Sequence, residues 1–517
     1  MSEPTTPPIS VRPVRWWPAG VILALAAAGF ACLFFIPQPS QQHFTMRAAQ
    51  IILLTIALLM LWVMFYSGLR WRTRFAVLGL VLCGFGLLAG LFRFHGVNGD
   101  LVPIFEPRWA RREFQKPVAA APAAAQKAPP GAADFPQFLG PNRDGDLEGL
   151  KLATNWIAQP PAELWRVPVG AGWSGFAVAG ATAITQEQRG DDECVVAYNL
   201  ETGKVLWSHA DNKHYSNPLA GEGPRATPTI VGQRVLTHGG TGLLNSLDLV
   251  DGHVIWARDA SVDRGGGLPD WGEATSPLVG NDLVIVNAGG PRKTYLSAFH
   301  LGDGSPAWSA TNHEAGYSSP EFAMIDGTWQ ILIFADALIG SDAATGKQLW
   351  QFPWPGGHPH VASPLVVGPG EVVMSSGYGT GSALVKIGRN SSGQWSAKQV
   401  WRNNRMKAKF TDLILDKGYI YGLDDGIMEC IDAGTGALAW KDGRYGHGQT
   451  LLVGELLLVM AESGEVILVD PQSDRLRELT RFTALKEKTW NPPALAGEYL
   501  LVRNDKEAAC FRLPVRN

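Results

Sequence analysis

Cysteine is nearly missing from this 517-residue chain, with five in all and none adjacent: Cys32 and Cys83 in apolar runs, and Cys194, Cys430 and Cys510 in segments that read as strands. That scarcity excludes a disulfide framework, and all five read as buried thiols packing as small hydrophobes. Net charge is also small, −3, which leaves no basic footprint for nucleic acid. No H-E-x-x-H or G-x-S-x-G stretch occurs, which removes the zinc-protease helix and the hydrolase nucleophile elbow. His358 and His360 in PWPGGHPHVASP have no third metal ligand beside them and read as loop residues. The glycines of RGGGLPDWG neither follow a strand nor open a helix, so they make no phosphate cradle, and Asp270 and Trp271 there read as turn residues.

Asp, Glu, Lys and His are absent from three long apolar runs, 17–36, 48–66 and 75–92, which argues against a proton path or ion channel through them. Each run is long enough to cross hydrocarbon, so the expectation is three membrane helices within an anchor of 1–114. Arg12 and Arg15 precede the first run and Arg70, Arg72 and Arg74 precede the third, against Arg47 alone in the first loop. That bias puts the N-terminus in the cytoplasm and the rest of the chain in the periplasm, although Arg93, Arg108, Arg111 and Arg112 run against it. An Ala/Pro-rich linker, 115–134, follows as an extended spacer. In FPQFLGPNRDGDLEG (135–149), Asn142, Asp144 and Asp146 lack the terminal Glu of a calcium loop and read as a surface turn.

What is plentiful is glycine, 59, and tryptophan, 19, and they recur in register. AYNLETGKVLW ends at Trp207, SLDLVDGHVIW at Trp256, AFHLGDGSPAW at Trp308, SDAATGKQLW at Trp350 and CIDAGTGALAW at Trp440. KIGRNSSGQWSAKQVW keeps the pattern around a longer turn and ends at Trp401. A period of roughly 40 to 50 residues is that of one four-stranded blade in a radial β array. Gly203, Gly252, Gly304, Gly346 and Gly436 supply the positive φ that the tight turns demand.

This A-x-D-x-x-T-G-x-x-x-W repeat resembles the tryptophan-docking repeat of the pyrroloquinoline quinone (PQQ) propeller superfamily. That superfamily contains quinoprotein dehydrogenases and also cofactor-free scaffolds, such as the propeller lipoprotein of the outer-membrane β-barrel assembly machinery. The resemblance covers 135–517 and implies a β-propeller fold, so with the apolar runs the expectation is an all-β, eight-bladed β-propeller preceded by three transmembrane helices. Six tryptophan-ended hairpins and two degenerate ones, 466–479 and 508–515, make eight. The last needs a partner strand, and AELWRVPVG (162–170) supplies one, closing the ring and removing its open edges.

A second column aligns independently, because each unit opens with a small or proline-bearing segment: SGFAVAG, ATPTIVG, ATSPLVG, SSPEFAMIDG, ASPLVVG, FTDLILDKG, GQTLLVG and NPPALAG. The residue before each opening should rim the channel mouth: Trp173, Arg225, Glu273, Tyr317, Val361 with His360 beside it, Lys409, His447 and Trp490. Cations and tryptophans on one rim suit an anionic or planar ligand.

The dehydrogenases resemble this chain in blade repeats but carry long insertions, calcium-ligating Glu and Asn, and a catalytic Asp. None of these can be placed here, so no catalytic residue, metal ligand or cofactor is expected. The sequence therefore reads as a non-catalytic propeller held by a multi-pass anchor in the cytoplasmic membrane, offering a face to a protein partner or small ligand. The alternative is a membrane-bound sugar or alcohol dehydrogenase that uses PQQ and calcium and passes electrons to quinone.

Overall fold

Turn chemistry builds the ring. All five turn glycines adopt φ between 65° and 74°, and each lets a hairpin reverse between the two outer strands of a blade. This computed structural model describes residues 13–36, 38, 40–110, 114, 127–261, 267–289 and 293–516. Arg12, Arg111 and Arg112, most of the 115–134 linker and part of RGGGLPDWG lie outside the described residues. The chain divides into two units, 1–111 and 112–517.

In the first unit, α1 (Trp17–Phe35), α2 (Gln41–Leu61, extended by a π-helical turn to Tyr66) and α3 (Trp71–Leu91) are each long and apolar enough to cross a membrane. α2 starts well before the apolar run, because Ser40 caps it by accepting from the His43 N–H. Arg47 therefore sits in a helix rather than a loop, and Arg72 and Arg74 open α3. Cys32 and Cys83 are exposed on helix surfaces, not buried, because the rest of the chain does not cover the apolar helices that carry them. α3 passes directly into a hairpin, β1 (Phe92–Val97) and β2 (Pro103–Pro107).

The second unit holds eight four-stranded antiparallel blades: 177–211, 229–259, 278–311, 321–353, 365–403, 414–444, 449–483 and 494–512, numbered 1 to 8. Blade 8 takes its outer strand from Ala162–Pro168, with Trp165 opposite Cys510 and Glu163 opposite Phe511. Blade 7 gains a short fifth strand, Asp146–Leu147, parallel to its inner edge.

Outer strands are pinned from blade to blade. The Nε1–H groups of Trp165, Trp207, Trp256, Trp401 and Trp440 donate to Leu200, Leu249, Leu301, Ala433 and Gln472 carbonyls of the next blade. The indoles of Trp165, Trp207, Trp256, Trp308 and Trp401 lie flat over the next turn glycine, where a Cβ would enter the ring. Those glycines thus meet two demands, a positive φ and a tryptophan overhead. Trp350 departs from the pattern: its Nε1–H donates to Gln330 Oε1 of its own blade, at 2.7 Å.

The eight openings form a belt around the channel. Gly175 N–H donates to Thr227 Oγ1, Thr227 N–H to Ser276 Oγ, and Ser276 N–H to Ser319 Oγ. Tyr317 N–H continues to His360 O, and Ser363 N–H to Asp412 Oδ1. Gln449 Nε2 donates to both Phe410 O and Trp490 O, and Asn491 Nδ2 returns to Gly172 O and Ser174 O. Backbone groups freed where each inner strand begins are thereby satisfied by the neighbouring blade.

Asn142 and Asp144 are exposed in turn backbone, while Asp146 opens a short strand and the wider segment 135–147 is not confined to the surface. It runs across the ring, pairing Phe135 with Val178 of blade 1, accepting Ile230 N–H of blade 2 on Pro136 O, and pairing Asp146 with Leu452 of blade 7. Arg143 enters the channel from this side with only 4% of its surface exposed. Its guanidinium donates to Ser276 O (2.7 Å), Pro277 O (3.2 Å) and Pro320 O (3.0 Å). Burial lowers its pKa to about 10 against the opposing pull of Glu321 and Asp412. Sequence alone does not mark Arg143, because its partners lie more than a hundred residues away.

Candidate binding face at the channel mouth

The eight rim residues of the sequence reading lie just before the inner strands, and Trp173, Glu273, His360, Lys409 and His447 are buried there. The eight rim residues divide into two groups there. Arg225, Glu273, Tyr317 and His360, on blades 2 to 5, are committed to structure. The Arg225 guanidinium donates to Gly223 O (2.6 Å), Ala220 O and Gly221 O (both 3.3 Å) and lies 4.5 Å from the Tyr215 ring. Burial lowers its pKa to about 10, so it braces the small hairpin 216–222. Glu273 is fully buried and accepts Gly289 N–H at 2.9 Å. Tyr317 Oη accepts Trp271 N–H. His360 stacks on Phe334 at 4.2 Å and donates from Nδ1 to Ala335 O, while burial lowers its pKa. His358 stacks on Tyr378 instead, so the two histidines point to different partners.

Trp173, Lys409, His447 and Trp490, on blades 1, 6, 7 and 8, come together. Trp173 and Trp490 are 4.9 Å apart, Phe410 is 4.8 Å from Trp490, and His447 is 5.6 Å from Phe410. Lys488 Nζ lies 4.5 Å from the Trp173 ring and 4.3 Å from the Trp490 ring. Lys409 Nζ lies 4.9 Å from Tyr378 and 5.4 Å from Phe410. An ammonium over aromatic faces is held by the ring quadrupole. Burial lowers the Lys488 pKa, while Asp505 and Glu462 raise it. Lys488, Phe410, Tyr378 and Glu462 escaped the one-position reading of the sequence; Lys488 stands two residues before Trp490, in a column that was not aligned.

Buried carboxylates hold the loops that carry this cluster. Glu462 accepts His447 N–H (3.0 Å) and Trp490 Nε1–H (2.8 Å), tying blade 7 to blade 8. Before blade 6, Met406 adopts φ 52° with its N–H on Glu429 Oε2, and Lys407 N–H donates to Asp424 Oδ1 at 2.7 Å. Lys407 Nζ is 2.5 Å from Asp424 and 3.8 Å from Asp425. Tyr378, Asp425 and Glu487 also sit at positive φ around this quadrant, backbone conformations that persist only where surrounding contacts enforce them. Burial raises the Asp425 pKa.

Metal ligation at this face has no ready-made cluster of His, Cys, Asp and Glu among the described residues. Among the described residues, the one group of three ligand atoms close enough to share an ion is Asp248, Asp251 and His253, in the outer turn of blade 2. The carboxylates at the mouth are occupied by backbone N–H groups, an indole or lysines.

The family described as the outer membrane protein assembly factor BamB matches residues 154–269 and 191–442, together more than half of the chain. The chain belongs to this family. A BamB structure from Moraxella catarrhalis is 15% identical with a TM-score of 0.50, covering 69% of this chain and 99% of its own. A europium-containing methanol dehydrogenase is 12% identical with a TM-score of 0.58, covering 74% and 98%. A quinohemoprotein alcohol dehydrogenase from Comamonas testosteroni is 11% identical with a TM-score of 0.54, covering 74% and 81%. At these identities the likeness is one of fold, shared by BamB-type propellers and dehydrogenases alike. No curated protein matches the chain in sequence.

Proposed function

We propose that this protein is a membrane-anchored, non-catalytic BamB-type propeller whose channel mouth, at blades 6, 7, 8 and 1, binds an acidic protein segment. One observation carries this reading: two lysines, Lys409 and Lys488, only 4% and 7% exposed, are each set against two aromatic rings in one cluster. Charge and ring area converge there, as in partner-binding hot spots. BamB, named as an outer membrane protein assembly factor, is a relative whose printed role is assembly, which supports a partner-binding reading. Arginines at Arg15, Arg70, Arg72 and Arg74 support a cytoplasmic N-terminus and hence a periplasmic propeller at the inner membrane.

The test is p-benzoylphenylalanine in place of Tyr378 in living cells. Irradiation should give a discrete protein adduct that Lys409→Ala and Lys488→Ala each reduce. No adduct, together with quenching of tryptophan emission by added PQQ and calcium and reduction of an electron acceptor by alcohols or sugars, would favour the dehydrogenase instead.

A further inference from the structure

The hairpin β1–β2 is joined to the end of α3 with no intervening loop. Phe92 N–H still donates to Leu88 O in the helix, while Arg108, just past β2, returns to it through N–H to Leu91 O (2.9 Å) and Nε to Ala89 O (2.8 Å). Both ends of the hairpin are therefore fixed to the last turn of a membrane-length helix.

The two faces of the hairpin differ. One carries Arg93, with its guanidinium 3.1 Å from Glu106, and His95, 3.4 Å from the same carboxylate. The other carries Phe94 against Phe105, rings 6.0 Å apart, and Phe92 near Trp109 at 6.3 Å. Phe94, Phe105 and Trp109 are 48%, 60% and 66% exposed. A two-stranded hairpin with its aromatic side in water is marginal. Phe94 and Phe105 stand one rung pair beyond the helix end, about 7 Å at strand rise. That distance falls inside the headgroup layer, about 5 to 8 Å deep on each side of the hydrocarbon, where aromatic side chains collect.

We infer that this hairpin is a lipid-binding element, lying in the headgroup layer with Phe94, Phe105 and Trp109 inserted toward the acyl chains. Arg93 and Arg108 fit the same site. Both oppose the topology bias of the other arginines, and both are held at the helix end by Glu106 and by backbone carbonyls. The hairpin thus fixes the depth and tilt of α3 as the spans alone would not.

The inference rests on the helices lying in a bilayer, so the experiment separates the two. The full chain is reconstituted into phosphatidylethanolamine and phosphatidylglycerol vesicles with p-benzoylphenylalanine replacing, one at a time, Leu82 in α3, Phe94, Phe105, Trp109, and Val400 on blade 5. Mass spectrometry after irradiation should find lipid adducts at Leu82 and, several-fold above the Val400 background, at Phe94, Phe105 and Trp109. Adducts at Leu82 with only background at the three hairpin positions, or with adducts there to a second copy of the chain, overturn the proposal. Background at Leu82 as well removes the membrane reading beneath it.

Discussion

Arg503 of blade 8 donates from Nη1 to Gln186 O of blade 1 at 2.7 Å, across the seam where the ring closes. The same guanidinium reaches Thr185 Oγ1 (2.7 Å) and Gly170 O (2.9 Å), and the side chain is 1% exposed. Beside it, Glu187 accepts from Tyr198 Oη (2.5 Å), Arg189 Nε (3.0 Å) and Gly170 N–H (2.6 Å). Ring closure therefore rests on a buried polar network as well as on the strand ladder.

Arg503→Met should cost about 3 to 5 kcal/mol, because it strips donors from buried carbonyls and leaves Glu187 short of positive charge. Lys in its place should not restore stability, since one ammonium lacks the planar fork that spans Gly170 O and Gln186 O. Thermal melts of the detergent-solubilised chain measure this; a melting temperature unchanged by Arg503→Met would show that the seam is held by the ladder alone.

Two glycines with similar φ separate backbone strain from packing. Gly252 (φ 74°) lies beneath Trp207, whereas Gly190 (φ 65°) has nothing within 4 Å of an added Cβ. Gly190→Ala should cost about 1 to 2 kcal/mol from conformation alone. Gly252→Ala should cost about 1 to 3 kcal/mol more through overpacking, and Trp207→Ala about 3 to 5 kcal/mol. Equal losses at both glycines would mean that the indole yields freely.

Arg143→Ala should release the segment that crosses the channel. The buried carbonyls of Ser276, Pro277 and Pro320 lose their charged donor, a cost of about 1 to 3 kcal/mol. Limited proteolysis should then cut within 135–150 while the blades stay intact. Protection equal to the parent's would assign the hold to Phe135 and the Asp146 pairing.

Glu193 and Glu429 are each pushed up to about 7 from 4.5, chiefly by burial, with Asp424 adding to the shift at Glu429. A native pKa above the unfolded one means that the folded state holds the proton more tightly. Their contribution is thus fully present below about pH 4.5 and is lost as pH rises to about 7. Glu429→Gln should raise the melting temperature at about pH 8 and change it little at about pH 5. A variant curve parallel to the parent's would assign the slope to other groups.

The blades were legible because their signals are local. Gly203 and Trp207 stand within one hairpin, and the belt residues Thr227, Ser276 and Asn491 announce each opening by their place before an apolar strand. The closing strand could be inferred because blade 8 was one short. The site was legible only in part. Trp173, Lys409, His447 and Trp490 do gather, but whether a rim side chain faces the mouth or the packing depends on its neighbour, as Arg225 on Tyr215 and His360 on Phe334 illustrate. Glu462 and Lys488 act across blades, and no repeat-based alignment marks such contacts.

The ladder that pairs Arg166 with Ala509 brings together groups as distant as Arg166 and Glu507, 341 residues apart in the chain. Contacts of such separation form late, since the loop they close must first surrender its entropy. Seven blades will therefore wait with two bare edges until the final strand arrives. In that interval the nascent molecule is most open to misassociation with its own copies, and a chaperone that masks those edges would find its substrate there.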